Sequence, residues 1–189
     1  GPFGGMSGST TGTIRMMTGC IPASGGQDCY NVSCGGTSQQ DFSSNPIQDG
    51  FFGPGSDPFD GVIRLGGGDP GGADTIVRRL SDISLPGCSG SVTVPIELVQ
   101  LNLVSCEPIV IKYYGGQTTA LWNVSAALSP SLPSTGQMTV TKTHCNGGTW
   151  SSTLHVQPLL TFTRVSDHSI IGPIVGPIMD LSTVEPYRW

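Results

Sequence analysis

Charge is the scarcest property of this chain. Asp, Glu, Lys and Arg make up 11% of its 189 residues, against about 25% in an average globular protein. Only three Glu and two Lys occur in the whole sequence. Helix-rich folds expose polar faces that carry those two residues, so the shortage argues against such a fold. No stretch sustains the i, i+3, i+4, i+7 apolar spacing of an amphipathic helix. Eight basic residues against 13 acidic ones, for a formal net charge of −5, supply no footprint for a nucleic-acid backbone. No apolar run approaches the roughly 18 residues that a membrane-spanning helix needs, so membrane insertion is not expected. No signal peptide is visible, and a secreted mature chain would look the same after cleavage. Gly1 and Pro2 match what some tag-cleaving proteases leave behind.

The common catalytic signatures are missing as well. G-x-S-x-G does not occur, so no nucleophile elbow accompanies the three histidines, His144, His155 and His168. His144 adjoins Cys145, but successive residues of a strand point to opposite faces, which argues against a Cys–His nucleophile pair. Glu97 and Glu107 carry no sign of acting together as an acid and base across a cleft. The run GGGDPGGAD at 66–74 is rich in glycine but lacks the Lys-Ser/Thr pair and the following helix of a phosphate-cradling loop. The chain is therefore not expected to be an enzyme, and hydrolysis is the residual catalytic reading.

Glycine, proline and cysteine are plentiful, at 28, 15 and 6 residues. With 37% hydrophobic residues there is still enough apolar material for one core. The cysteines are Cys20, Cys29, Cys34, Cys88, Cys106 and Cys145. An even number in a charge-poor, Ser/Thr-rich chain points to disulfides and an oxidising compartment. The competing readings are free buried thiols and a metal site. The latter needs paired short spacings, and the closest approach is Cys29-x4-Cys34. Connectivity stays open; the expectation is one local bridge among the first three cysteines and one partner sent into the later core. The sequons Asn31-Val32-Ser33 and Asn123-Val124-Ser125 read as chance matches.

Three regions of a single domain follow from composition. Residues 1–50 form a Gly/Ser/Cys-rich N-terminal arm with loops, in which only Thr11–Thr18 reads as a strand. Residues 51–168 form the core. Phe51, Phe52 and Phe59 plug into it from a Gly/Pro-shaped loop. From residue 61 the period is two, giving strands at 62–65, 75–80, 91–105, 109–114, 119–126, 137–144, 150–156 and 159–165. In the longest, Val92, Val94, Ile96 and Leu98 share one phase, and Leu101 and Leu103 the other. That slip predicts a bulge or a crossing between sheets, and Pro95 predicts an edge or a bulge rather than a central strand. Asn146-Gly147 predicts a hairpin, with Thr139, Thr141 and Thr143 on one face and Met138, Val140 and Lys142 on the other. Trp150, Ser152, Leu154 and Val156 share a face across the turn. The fold class is all-β, an antiparallel β-sandwich with Gly/Pro-rich loops and extended terminal arms.

Residues 169–189 form an extended apolar C-terminal arm, broken against helix by Gly-Pro-Ile at 172–174 and again at 176–178. Ile171, Ile174, Val175, Ile178 and Met179 are its candidate assembly residues. They pack either along their own domain or on a neighbouring subunit by strand addition. Trp189 and Tyr187 are candidate anchors. Asp57, Asp60, Asp69 and Asp74 flank one short strand and are the candidate ligands for calcium as a possible cofactor; the competing reading is ordinary turn chemistry. Trp122, Trp150, Tyr113 and Tyr114 are either a sugar-binding platform or core, with core favoured for both tryptophans.

The stretch from about Phe51 to Asp167 resembles a family of secreted or cell-surface proteins of Planctomycetes-like environmental bacteria. The residues that carry it are FFGPGSDPFDGVI, ADTIVRR, TVPIELVQLNLVSCEPIVI and STGQMTVTKTHCNGGT with STLHVQPLLTFTRVSD. The resemblance implies export and carries over no catalytic residue. The expected function is an extracellular structural subunit of a filament or surface layer, joined to copies of itself through terminal arms and β edges. The alternative is a secreted module for carbohydrate-binding or calcium-dependent adhesion.

Overall fold

Where apolar and polar residues alternate, the backbone is extended and the apolar side faces inward. The computed structural model describes residues 7–11, 14–16, 27–32, 34, 39–68, 74–176 and 178–188. Among these the strands are β1 (Ser7–Thr11), β2 (Ile14–Met16), β3 (Gln27–Val32), β4 (Gln39–Asp41), β5 (Val62–Gly67), β6 (Thr75–Arg79) and β7 (Gly90–Ser105). They continue with β8 (Ile109–Tyr113), β9 (Thr118–Leu128), β10 (Ser134–His144), β11 (Gly147–Val156), β12 (Pro158–Arg164), β13 (Ile170–Val175) and β14 (Ile178–Arg188). All eight strands expected from the period of two are present, and no helix occurs among the described residues.

The larger layer has the order β1-β14-β11-β10-β7-β6-β3-β2. The smaller layer runs β13-β12-β9, and β9 is then flanked by β8 along its first half and by the end of β7 along its second. From there β5 and β4 continue the layer. Pairing is antiparallel except between β1 and β14, which run parallel. The inner faces meet in one core: Val94, Ile96, Val140, Trp150 and Leu154 from the larger layer, Ile111, Trp122, Val124 and Phe162 from the smaller. Phe52 lies 5.3 Å from the rings of both Trp122 and Phe162, and Tyr113 OH donates to its carbonyl at 3.1 Å. Phe51 and Phe59 pack against the same core, as the loop sequence predicts.

β7 belongs to both layers, and the phase slip marks where it changes. Ile76 pairs with Gln100 but the next residue of β6, Val77, pairs with Leu98, so Val99 is an extra residue in the ladder. Before it Val94, Ile96 and Leu98 are buried; after it Leu101 and Leu103 are. A one-residue bulge flips the side-chain phase and turns the strand. Beyond it, Asn102–Val104 pair with β9 and Leu103–Ser105 with β5.

Three local expectations are corrected. Pro95 lies in a strand flanked on both sides, by β10 and by β6. It is tolerated there because its carbonyl accepts from Leu80 N–H (2.9 Å), one residue past the end of β6. In an antiparallel pair a residue's N–H and C=O point the same way, so the donor that proline lacks faces the end of a strand. Of the strand expected at Thr11–Thr18, Ile14–Met16 form β2 while Thr11 ends β1, and residues 1–50 also hold β3 and β4; β1 and β2 stand at opposite ends of the larger layer. Thr11 and Ile14 are three residues apart, so covalent geometry keeps these ends within about 11 Å of each other. The hairpin expected at Asn146-Gly147 joins β10 and β11, but its turn falls on Cys145 and Asn146, with Gly147 already in β11 opposite His144.

Ile96 is 0% exposed and Leu121 is 45% exposed. Ile96→Ala is expected to lower unfolding free energy by about 2–5 kcal/mol. Leu121→Ala is expected to change it by less than about 0.5 kcal/mol. Urea denaturation of the two variants checks both.

Candidate functional site

Of the four candidate calcium ligands, Asp57 and Asp74 hold different places in the fold. Asp57 accepts from Gly115 N–H and Gly116 N–H, each at 2.9 Å. Tyr114, Gly115 and Gly116 all have positive φ, so the carboxylate ties the tight turn after β8 to the aromatic loop. Asp60 is exposed. Asp69 lies outside the described residues. Asp74 is 0% exposed and takes Val32 N–H at 2.6 Å and the Thr75 hydroxyl at 2.7 Å. Among the described residues no three His, Cys, Asp or Glu side chains form a group that could hold a metal ion.

Asp74 instead closes a junction where three strands meet. Its carboxylate caps the end of β3 at Val32, and its carbonyl accepts from Asn102 N–H at 2.7 Å. Next to it the Cys34–Cys106 disulfide binds the chain after β3 to the end of β7. Two glycines of β5 make room for both. A Cβ at Gly66 would overlap Cys34 Sγ, and one at Gly67 would overlap Asp74 Oδ2. The glycine-rich run thus begins as a place of close approach. Burial pushes the Asp74 carboxyl above its ordinary value of 3.8, outweighing the hydrogen bonds from Val32 and Thr75, which act the other way.

A second disulfide, Cys88–Cys145, ties the loop before β7 to the β10–β11 turn. Cys29 is also disulfide-bonded, and no described cysteine is free. Cys20 lies outside the described residues. Cys34 is the early cysteine that reaches the later core, as expected.

The C-terminal arm is extended, and in this structure it pairs with its own sheets. β13 pairs with β12, and its other side is unpaired among the described residues. Ile171 and Ile174 pack partly against the core, while Ile170 and Val175 are exposed at 65% and 43%. Ile178 and Met179 begin β14, where Ile178 pairs with Ser7 and Met179 with Gly8 and Val156. Ten residues of β14 are in register with β11, from Gly147↔Arg188 to Val156↔Met179. Tyr187 pairs with Gly148 within that ladder; Trp189 lies outside the described residues.

Trp122 and Trp150 are buried core residues and Tyr113 is buried beside them. Tyr114 alone of the four is exposed, so they make no surface platform. The outer face of the larger layer is instead lined with hydroxyls. Ser91 pairs with Thr141 at 3.0 Å and Thr93 with Thr139 at 2.8 Å across β7 and β10. A groove of about 500 Å³ runs over β10 and β11, lined by Thr135, Gln137, Thr139, Ser151, Thr153 and His155 among others. The threonine row of β10 is legible from its alternation; the groove is not, because it needs β11 alongside.

Comparison with protein-family models, curated proteins and solved structures finds no match to this chain.

The buried carboxyl has a signed consequence. Because its folded-state value is raised, its contribution to stability is complete below about pH 3.8 and is lost as pH rises from there through the higher folded-state value. Asp74→Asn is expected to flatten this dependence, with the amide donating to Thr75 and its oxygen accepting from Val32. Asp74→Ala leaves both donors unpaired and is expected to cost about 1–3 kcal/mol at all pH values. Urea midpoints from about pH 4 to 8 read both effects.

Proposed function

We propose that this chain is a disulfide-stabilised extracellular structural subunit that assembles with copies of itself through its sheet edges and terminal strands. The observation that carries the reading is the placement of β1 and β14. Among the described strands β1 is the outermost of the larger layer and β14 is its neighbour. β1 has the sequence SGSTT, without a charge or a proline. Edge strands usually carry such devices because an open ladder invites pairing with another chain. At the rim of the smaller layer β13 exposes Ile170 and Val175 beside a side that is unpaired among the described residues. Few surface charges oppose close approach between copies. The disulfides and the resemblance of Phe51–Asp167 to exported surface proteins support an oxidising location.

A second reading is favoured by the hydroxyl-lined groove on β10 and β11, which offers paired donors and acceptors to a sugar chain. In that reading the protein is a secreted adhesion module, and calcium is a candidate cofactor.

Negative-stain electron microscopy of the tag-free protein is expected to show filaments or sheets, lost when residues 169–189 are deleted. Monodisperse single chains would end the assembly reading. Binding on a glycan array, or a melting temperature that falls on adding a chelator, would then favour the adhesion module.

A further inference from the structure

We infer that β14 is an exchangeable strand: the slot between β11 and β1 accepts residues 178–188 of a second copy in place of the chain's own. This deepens the assembly reading and rests on it. Four features lead there. First, among the described residues β14 is joined to the rest of the fold by strand pairing with β11 and β1 only. Second, it does not sit at the rim but fills a position with a strand on each side, antiparallel to β11 and parallel to β1. Third, the hinge is very short. β13 belongs to the smaller layer and β14 to the larger, and only residues 176 and 177, a Gly-Pro pair, lie between them. Gly176 N–H donates to Pro158 O at 2.8 Å, and a Cβ at Gly176 would press on Leu160 at 3.0 Å. A hinge this short and tightly packed favours the open arrangement, in which β13 and β14 continue into another molecule.

The fourth feature is that one wall of the slot stays in its sheet when β14 leaves, and the other stays tethered close by. β11 remains held by β10. β1 has no other described strand partner, but it is tethered through two residues to β2, which stays paired with β3. An arriving strand therefore meets a fixed wall of ten residues in register and a second wall tied close by. Reciprocal exchange closes a two-fold dimer, and one-way exchange builds an open chain.

The register supplies the test. Ser151 pairs with Val184, and the next residue along, Thr183, pairs with Ser152. Neighbouring strand residues point to opposite faces, so a cysteine at 183 cannot meet one at 151. Full-length Ser151→Cys and Val184→Cys chains, co-expressed in an oxidising compartment, are expected to form a disulfide-linked heterodimer. Ser151→Cys with Thr183→Cys is expected to give none. Absence of the first heterodimer overturns the exchange, and an internal bridge in the double variant of one chain would then assign β14 to its own sheet. Discrete cross-linked dimers without filaments keep the exchange and end the polymer reading. Filaments without the cross-link keep the polymer reading and overturn the exchange.

Discussion

The extra residue in β7 is the constraint on which the rest of the structure depends. One strand hydrogen-bonds to β10 and β6 in the larger layer and then to β9 and β5 in the smaller. The change requires the side-chain phase to flip, because the strand must keep an apolar side toward a core that now lies on its other face. Val99 absorbs that flip. Without it, either Val94, Ile96 and Leu98 or Leu101 and Leu103 would face solvent. Burying these side chains contributes on the order of 1.5–3 kcal/mol each, far above the cost of one interrupted ladder position.

Around this crossing the fold closes its open places with specific links rather than with surface charge. The Cys34–Cys106 disulfide and the Asp74 carboxyl join β3, β5 and the end of β7 within a few residues of one another. Cys88–Cys145 fastens the opposite end of β7 to the β10–β11 turn, and Lys142 reaches Leu85 O at 3.2 Å beside it. Asp57 holds the turn after β8. Few ion pairs are needed: Arg78–Glu97 at 2.6 Å bridges β6 and β7 across an exposed surface, where such a pair contributes about 1 kcal/mol or less. A chain with this few charged residues leaves its edges chemically plain, and that connects stability to the proposed assembly.

The terminal strands carry the functional reading because of where they lie. β1 and β2, three residues apart in sequence, stand at the two ends of the larger layer and draw those ends together. β14 enters between β1 and β11, and β13 forms the rim of the other layer. The same backbone groups that complete the sheet within one chain are those that would complete a neighbour's.

What the sequence by itself determined is the local material: eight strands, the phase slip after Val99, the inward faces of β10 and β11, and the plugging aromatics. Those depend on an alternation of period two and on turn residues, both visible within a few positions. What only the tertiary structure decided is partnership. Asp57 and Asp74 looked alike as turn aspartates near one strand. One became a turn anchor and the other a buried junction, because their partners come from residues 58 and 42 positions away. Pro95 was tolerated in a flanked strand only because β6 happens to stop beside it. The terminal segment read as an arm because nothing within it names its neighbour. A ladder forms between backbone groups that every sequence has, so the choice between β11 and some other strand belongs to the packing of the whole chain.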